Sequence, residues 1–229
     1  MKKTFLYLFL AIASFALYSC NEDNNPGQVP DNLFADIVTI YDKKDNSTIF
    51  HLQEKDDSPT AVLTATEFSI TNTPFKKGDR VIISYVPTNG ARYVSDFISV
   101  YNLASIYPTP IITDEIKLYP DWDFADIYVD DLWRTGNYIN LYCRMTYYND
   151  PQFKVIIDKY TVNNSYPDIY LTYDYNSNVD AQEKSFIASF DISEVWELTT
   201  CRGVTIHLNS RNTAKTITLD KTITIKPIE

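Results

Sequence analysis

The chain has 229 residues, of which 45% are hydrophobic and 22% are charged. This length suffices for one large or two small domains of about 100–150 residues, each with its own hydrophobic core. The 20 basic residues stand against 30 acidic ones, and the resulting charge of −10 argues against binding to a phosphate backbone. The 5 glycines exclude a collagen, while 18 tyrosines and 12 phenylalanines favour β-strands over a coiled coil or a disordered chain.

Residues 1–19 are predicted to be a lipoprotein signal peptide. Two lysines near the start precede an apolar stretch, residues 5–17, which is too short to span a bilayer as a stable helix. The stretch closes on Leu17-Tyr18-Ser19-Cys20, which resembles the lipobox of bacterial lipoproteins, with Tyr18 as a departure from that pattern. We therefore expect Cys20 to begin the mature chain and to carry the acyl chains, palmitate among them. The alternative is an ordinary secretory signal with an incidental cysteine.

Residues 20–33 are predicted to be a flexible tether, because the segment is polar, contains prolines and has nothing to bury. The pair Glu22-Asp23 resembles the acidic export signals that send lipoproteins of Bacteroidetes to the outer face of the outer membrane. Loss of residues 1–19 removes two lysines and no acidic residue, which brings the formal charge to −12. An anionic membrane does not attract so acidic a chain. We therefore expect the protein to bind the membrane through the lipid on Cys20 alone.

Residues 34–107 are predicted to form an OB-like domain. Apolar and polar residues alternate as in strands in five segments: 34–41, 47–52, 61–65, 81–86 and 92–101. Turn residues separate them, among them the Gly78-Asp79 and Asn89-Gly90 pairs. Several of these strands are apolar on both faces, which favours a small five-stranded barrel.

Residues 108–113 are predicted to be a linker that contains Pro108 and Pro110, and residues 114–229 a second domain. Strict alternation in residues 139–147 and 204–208 indicates strands with one buried and one solvated face. Alternation of the same kind continues through Ile217, Leu219, Ile223 and Ile225. About seven antiparallel strands are expected, as in an immunoglobulin-like β-sandwich, with residues 192–197 as the one helical turn. The fold class is therefore all-β, a barrel followed by a sandwich.

Three segments carry a resemblance to a known family: Phe34–Thr39 (FADIVT), Lys76–Val81 (KKGDRV) and Asp131–Leu141 (DLWRTGNYINL). On these residues the chain resembles the NigD-like lipoproteins of Bacteroidetes, a family named after a protein encoded beside a bacteriocin. The resemblance covers essentially the whole chain behind the lipobox. It implies an N-terminal OB-like domain, a C-terminal β-sandwich and a cell-envelope location. It implies no catalytic or ligand-binding residue.

Motifs of catalysis are missing from the sequence, which has no Gly-x-Ser-x-Gly elbow, glycine-rich phosphate loop or His-Glu-x-x-His pair. Strand alternation places the two histidines, His51 and His207, outward and in different domains, so we expect surface residues. We expect a protein that is not an enzyme and needs no cofactor. Nucleic acid is not an expected partner either, because residues 34–110 carry more acidic than basic side chains.

The densest acidic segment contains five aspartates around Trp122 and Phe124: Asp121, Asp123, Asp126, Asp130 and Asp131. Asp121, Asp123 and Asp126 are the candidate ligands if the segment holds Ca²⁺, since this ion prefers carboxylate oxygens. The segment lacks the glycine and terminal glutamate of an EF-hand loop, so a solvated acidic loop without metal is the preferred interpretation.

Cys143 and Cys201 are the two cysteines behind the lipobox, and disulfides persist outside the cytoplasm. Cys143 shares the inward face with Ile139 and Leu141, whereas Cys201 is out of phase with Val204 and the inward residues after it. A disulfide and two buried or half-buried thiols both stay open, since a bulge before the strand would redirect Cys201.

Aromatic side chains are the candidate ligand contacts: Trp122, Trp133 and Trp196, with tyrosines 138, 142, 148, 170 and 173. Flat amphipathic rings of this kind form sugar-stacking platforms, although in sandwiches they more often fill the core. The sequence thus predicts a lipid-anchored, non-enzymatic binding lipoprotein of the outer membrane that faces the cell exterior. Its partner is a protein, as for an immunity-type lipoprotein, or alternatively a glycan.

Overall fold

The computed structural model describes residues 30, 32–44, 46–71, 73–89, 92, 97–106, 109, 111–124, 126–147, 152–174 and 182–221. The chain divides into two compact units, with the boundary between Ile106 and Tyr107. Residues 1–29 lie outside the described part, and with them the predicted signal peptide, Cys20 and most of the tether. In the described part, no helix has the length and apolar character that a bilayer crossing requires.

The first unit is a closed five-stranded barrel, as the OB-like prediction requires. Its strands are β1 (Phe34–Lys44), β2 (Ser47–Leu52), β3 (Ala61–Thr66), β4 (Arg80–Pro87) and β5 (Phe97–Ser105). Around the barrel the order is β1-β2-β3-β5-β4, with β1 antiparallel to both β2 and β4. A short parallel pairing of β3 with β5 closes the barrel. A five-stranded Greek-key barrel of this kind removes the exposed sheet edges.

Alternation along each strand builds the barrel core. Val38, Ile40, Phe50 and Ile83 are fully buried, as expected for every second residue of strands that curve around one interior. Ile70, from the connection between β3 and β4, is also fully buried and adds to the same core.

The predicted turn before β4 also forms backbone hydrogen bonds with β1. Gly78 has a φ of +93°, which a residue with a side chain adopts only with strain. The Gly78 N–H donates to Ile40 O at 2.8 Å, and the Ile40 N–H donates to Asp79 O at 2.9 Å. β5, predicted over residues 92–101, spans Phe97–Ser105 in the described part, and its pairing with β4 contains a bulge between Ser84 and Tyr85.

The second unit has two sheets with a shared core, as in a sandwich. Its strands are β6 (Ile111–Asp114), β7 (Tyr128–Thr135), β8 (Tyr138–Tyr147), β9 (Gln152–Asp158), β10 (Asp168–Asp174), β11 (Gln182–Asp191), β12 (Gly203–Leu208) and β13 (Thr216–Asp220). The five-stranded sheet has the order β13-β12-β10-β9-β6 and the three-stranded sheet the order β11-β8-β7. A four-residue helix, α1 (Ser193–Trp196), lies where the helical turn was predicted.

The sandwich differs from the expected antiparallel arrangement in two pairings. β6 is parallel to β9, and β10 is parallel to β12, so the five-stranded sheet is mixed. β6 begins at Ile111 and thus lies partly in the segment predicted as a linker. A segment of four residues is too short for apolar and polar alternation to identify it as a strand. β6 is a strand because β9 supplies its hydrogen-bonding partners.

The predicted buried faces of the second unit are confirmed. Ile139, Leu141, Cys143 and Met145 on β8 are fully buried, and Ile217 and Leu219 pack against the same core. Ile223 and Ile225, predicted to continue that face, lie outside the described residues. In both units, alternate residues of the strands therefore form the hydrophobic core.

Cys143 and Cys201 are both free and both buried, which settles the two alternatives in favour of thiols. Burial raises the pKa of the Cys143 thiol well above its usual range. The Cys201 thiol lies 3.2 Å from Gly203 O, to which it donates.

Candidate functional site

The outer face of the five-stranded sheet gathers acidic and aromatic side chains from adjacent strands. Asp114 on β6 pairs with Asp158 on β9, and Tyr170 on β10 pairs with His207 on β12. Asp168 lies one step beyond the Ile169–Ile157 pair and so neighbours Asp158. Side chains two residues apart share a face, so the acidic row lies beside the aromatic one. We call Trp122, Asp158, Asp168, Tyr170 and His207 the outer-face site.

The segment from Glu115 to Phe124 brings Trp122 to this face. It begins with a 3₁₀ helix, Ile116–Leu118, which packs against β9, and continues as a turn in which the Trp122 N–H donates to Tyr119 O at 3.1 Å. Two side-chain bonds tie the segment to the sheet. The Tyr119 hydroxyl donates to Asp114 Oδ2 at 3.2 Å, and Asn209 Nδ2 donates to Asp123 O at 2.6 Å.

Three rings form the aromatic part of the site. Tyr170 and His207 stack with a centroid separation of 4.3 Å and an interplanar angle of 12°. The Trp122 indole is nearly perpendicular to both, at 4.9 Å from Tyr170 and 6.3 Å from His207. Edge-to-face contacts of this kind are favourable because the positive ring edge meets a negative ring face. The three rings are therefore held in a defined arrangement.

His207 lies between a carboxylate and a hydroxyl. Asp168 Oδ1 is 2.6 Å from His207 Nε2, and Thr216 Oγ1 is 3.4 Å from His207 Nδ1. This order of groups is that of a hydrolytic triad, but an activated nucleophile lies at about 2.6–3.2 Å from its base. Thr216 is also exposed on the edge strand β13. The short contact with Asp168 therefore orients the imidazole ring, whereas the longer contact with Thr216 is too long to activate the hydroxyl.

Asp158 is a largely buried acidic residue that forms no ion pair with any residue that the structure describes. The residue is only 8% exposed, and its Oδ1 accepts the Tyr160 N–H at 3.2 Å. Burial, and then the negative charges of Asp168 and Asp158, raise the pKa of Tyr170 above its usual value. The outer-face site therefore combines carboxylates with aromatic rings.

The three tryptophans singled out in the sequence lie in different places. Trp122 belongs to the outer-face site, whereas Trp133 lies on β7 of the three-stranded sheet, opposite Asn140. Trp196 is 5% exposed in the core, where the Arg134 guanidinium carbon lies 4.5 Å from its ring centroid. A platform built from all three is therefore not formed.

The tyrosines are divided in the same way. Tyr142 and Tyr173 are buried, and of the four that the structure describes Tyr170 alone contributes a ring to the outer-face site. Tyr148 lies outside the described residues.

The candidate calcium ligands Asp121, Asp123 and Asp126 are all exposed. Asp126 Oδ1 forms an ion pair with Arg211 Nε at 3.3 Å. Within the described ranges, no three side chains of His, Cys, Asp or Glu converge on a position suited to a metal ion.

A second cluster, inside one end of the barrel, was not found in the sequence. Asp36 shares the inward face of β1 with Val38 and accepts the Tyr85 hydroxyl at 2.8 Å and Arg92 Nε at 3.2 Å. Burial raises the pKa of Asp36, and the Arg92 guanidinium opposes that rise. The sequence could have indicated this cluster only through an aspartate at an inward strand position. Its partner, Arg92, lies 56 positions away and could not be identified from the sequence.

His51 faces outward from the barrel, as predicted, and stacks on Tyr41 with a centroid separation of 3.9 Å. Burial lowers the pKa of His51. His207 also faces outward, as predicted, but the contacts with Asp168 and Tyr170 distinguish it from an ordinary surface residue.

Comparison with known proteins gives the fold. No family model and no curated protein matches the chain. Among solved structures, a DUF1344 protein of unknown function from Bacteroides vulgatus has a TM-score of 0.64 at 13% identity, over 86% of this chain and 94% of that one. A NigD-like immunity protein from Bacteroides caccae has a TM-score of 0.53 at 15% identity, over 80% and 87%. A candidate lipoprotein from Bacteroides fragilis has a TM-score of 0.52 at 14% identity, over 82% and 95%. At these identities the likeness shows a shared fold, and it confirms at that level the resemblance to NigD-like proteins.

Proposed function

We propose that this chain, which shares its fold with a NigD-like immunity protein, is a lipid-anchored lipoprotein of the bacterial outer membrane that acts by binding a polypeptide at the cell exterior. The observation that carries the proposal is the fold likeness over 80% of the chain to that immunity protein. The likeness to a candidate lipoprotein over 82% of the chain supports the anchored location. The basic, apolar and lipobox segments that end at Cys20 supply the route to the membrane.

Attachment through Cys20 needs no further membrane contact. Each buried methylene of an acyl chain contributes about 0.8 kcal/mol, so several chains on one cysteine hold the protein in the bilayer. The acidic pair Glu22-Asp23 supports transport to the outer face of the outer membrane.

Binding rather than catalysis is supported by the geometry of the outer-face site. Asp168 and His207 are in contact, but the Thr216 hydroxyl is exposed and lies 3.4 Å from the imidazole. A stacked, hydrogen-bonded surface such as this one presents fixed rings and charges to a partner.

The test is protection of cells that carry the protein. A strain that lacks this chain is exposed to the concentrated secreted polypeptides of its parent, and growth is compared after return of the wild-type gene or the Cys20→Ala variant. We expect inhibition of the deleted strain, rescue by the wild type and no rescue by the variant. Equal growth of all strains, together with no polypeptide cross-linked to the anchored protein on intact cells, would overturn the proposal.

A glycan ligand is the second candidate, favoured by the half-buried Trp122 ring beside Tyr170 and by the nearby Asp168, which contacts His207. Sugar recognition combines a stacking ring with carboxylate acceptors. Affinity electrophoresis in polysaccharide gels tests it: retardation of the wild type that is lost in Trp122→Ala but kept in Trp133→Ala would favour the glycan. No retardation in any gel would exclude it for those polysaccharides.

A further inference from the structure

We propose that the outer-face site receives a lysine or arginine side chain of a basic polypeptide. The proposal rests on the binding function proposed above and names the chemical class of the partner. It is carried by a largely buried acidic residue that forms no ion pair with any described residue, by aromatic rings beside it and by the charge of the chain.

Asp158 is the first argument. The residue is 8% exposed, and a single backbone N–H, that of Tyr160, donates to its Oδ1 at 3.2 Å. An ammonium or guanidinium group that reaches a carboxylate in a largely buried residue forms an ion pair where little water competes. Asp168, on the neighbouring strand, adds a second carboxylate, whose Oδ1 is engaged by His207. Two carboxylates on adjacent strands suit the several N–H donors of a lysine or arginine head.

The aromatic rings are the second argument. Cations are attracted to the face of Trp or Tyr within about 6 Å, and the attraction is stronger where water is excluded. Tyr170 neighbours both aspartates, Trp122 contacts Tyr170, and both rings are half-buried. The apolar part of a long basic side chain also packs favourably along such rings. The same chain already places Arg144 over Tyr128, at 3.9 Å from the ring centroid.

The charged groups around the site include a further carboxylate and four lysines. Asp114 on β6 adds a carboxylate, whose oxygens accept the Glu115 N–H at 2.8 Å and the Tyr119 hydroxyl at 3.2 Å. Two nearby lysines, Lys117 and Lys159, are both paired with Glu115. The remaining basic groups are Lys154 on β9 and Lys215 before β13.

The charge of the whole chain acts in the same direction. The mature chain has a formal charge of −12, which attracts a basic partner at long range and accelerates its association. The hydroxyl groups of a neutral sugar would donate hydrogen bonds to the carboxylates but would not neutralise Asp158. Charge complementarity therefore selects a basic polypeptide as the occupant.

The experiment measures binding of an acetylated and amidated pentalysine peptide to the detergent-solubilised full chain by calorimetry, at low and at physiological ionic strength. We expect binding that weakens with salt and a loss of affinity of about tenfold in Asp168→Asn, since one carboxylate of the pair is removed. Asp158→Asn should weaken binding at least as much, and Tyr170→Leu several-fold. Asp131→Asn is the matched control, because it removes one exposed charge from the other sheet.

Asp168→Asn keeps the proposal testable if Asp158→Asn does not fold, since Asp168 is the more exposed of the two. An equal loss in Asp131→Asn and Asp168→Asn would show attraction by net charge alone and overturn the proposal. Absence of pentalysine binding, or equal binding of a pentaglutamine peptide or of maltopentaose, would overturn it too. The binding function is judged separately: a polypeptide captured on intact cells by both the wild type and Asp168→Asn would leave that function standing and place the contact elsewhere.

Discussion

Asp36 and Arg92 form a nearly enclosed ion pair inside one end of the barrel. Their side chains are 10% and 17% exposed, and Arg92 Nε donates to Asp36 Oδ2 at 3.2 Å. The same Oδ2 accepts the Tyr85 hydroxyl at 2.8 Å. The Arg92 guanidinium also lies over the Phe34 ring, at 5.5 Å from its centroid. Arg92 lies between β4 and β5, so one side chain joins that connection to the first strand of the barrel.

The first prediction is that Arg92→Ala destabilises the barrel by about 3–5 kcal/mol, because it leaves a buried carboxylate without its cation. Denaturant unfolding of the full chain, followed in the transition of the barrel, measures the loss. The double variant Asp36→Asn with Arg92→Leu is the control and should lose less, since no charge stays buried and the new amide still accepts from Tyr85. A loss below about 1 kcal/mol in Arg92→Ala would place the pair among weak surface contacts.

The second prediction concerns the stability of the fold at low pH. Hydrogen bonds from Lys117, Lys159 and Tyr160 lower the pKa of Glu115 from its usual 4.5 to about 2. A carboxyl group whose pKa is lower in the folded state stabilises the fold above its unfolded pKa, and this contribution is lost as the pH falls through the folded value. The Glu115 contribution should therefore be present above about pH 4.5 and be lost on approach to pH 2.

Unfolding of the wild type and of Glu115→Gln across this pH window measures the contribution of Glu115. The two proteins should differ above pH 4.5 and converge near pH 2. Asp131→Asn, which changes an exposed carboxylate, should run parallel to the wild type. A difference between wild type and Glu115→Gln that does not change with pH would contradict the ion-pair explanation.

The third prediction is that Cys20 carries the lipid. Cys20→Ala should move the protein from the membrane to the soluble fraction and abolish labelling by a palmitate analogue, because the acyl chains supply the membrane affinity. Cys143→Ala, which changes a thiol buried in the sandwich, should stay in the membrane and keep the label. A Cys20→Ala variant that remains membrane-bound would show that the lipoprotein prediction is incorrect.

The fourth prediction is that the two units fold independently, since the boundary falls between Ile106 and Tyr107 and each unit has its own core. Fragments that end at residue 106 and begin at residue 107 should each unfold cooperatively in urea. A fragment that begins at residue 115 lacks β6, so it should be less stable than the one that begins at 107. Loss of cooperative unfolding in both of the first two fragments would indicate a single folding unit.

The fifth prediction is the absence of hydrolysis of glycans, esters and peptides by the anchored protein. Among the described residues, the contact of Asp168 with His207 lies beside a hydroxyl, that of Thr216, which is 3.4 Å from the imidazole. A substrate screen should show no turnover in the wild type or in His207→Ala. Turnover that disappears in both His207→Ala and Thr216→Ala, and persists in Asp131→Asn, would establish a catalytic site on the outer face.

Local pattern accounts for much of the fold. The inward positions of β1 and β8 were predictable because alternate side chains of a strand always lie on opposite faces, whatever the strand pairs with. The same rule placed His51 and His207 on outer faces. It could not show that His207 stacks on Tyr170, because the neighbour of a strand residue depends on register between segments far apart in sequence.

The strand pairings explain which parts of the structure could not be predicted from the sequence. β6 has only four residues, and its parallel pairing with β9 spans more than forty positions of chain. Parallel neighbours such as β10 and β12 require a crossover, which leaves no turn signal at the strand ends. Trp122 was selected for its residue type together with Trp133 and Trp196, and only the packed structure separates the ring on the outer face from the one in the core.

The sequence by itself determined the lipobox prediction, the all-β class, the order of barrel and sandwich and the faces that are buried, because these depend on composition and on neighbours within a few residues. The tertiary structure decided which distant side chains meet. Asp36 and Arg92 are 56 positions apart, and Asp168 and His207 are 39 apart, yet each pair is in direct contact. Such contacts follow from strand order and register, which arise from the cooperative burial of both cores rather than from any local run of residues.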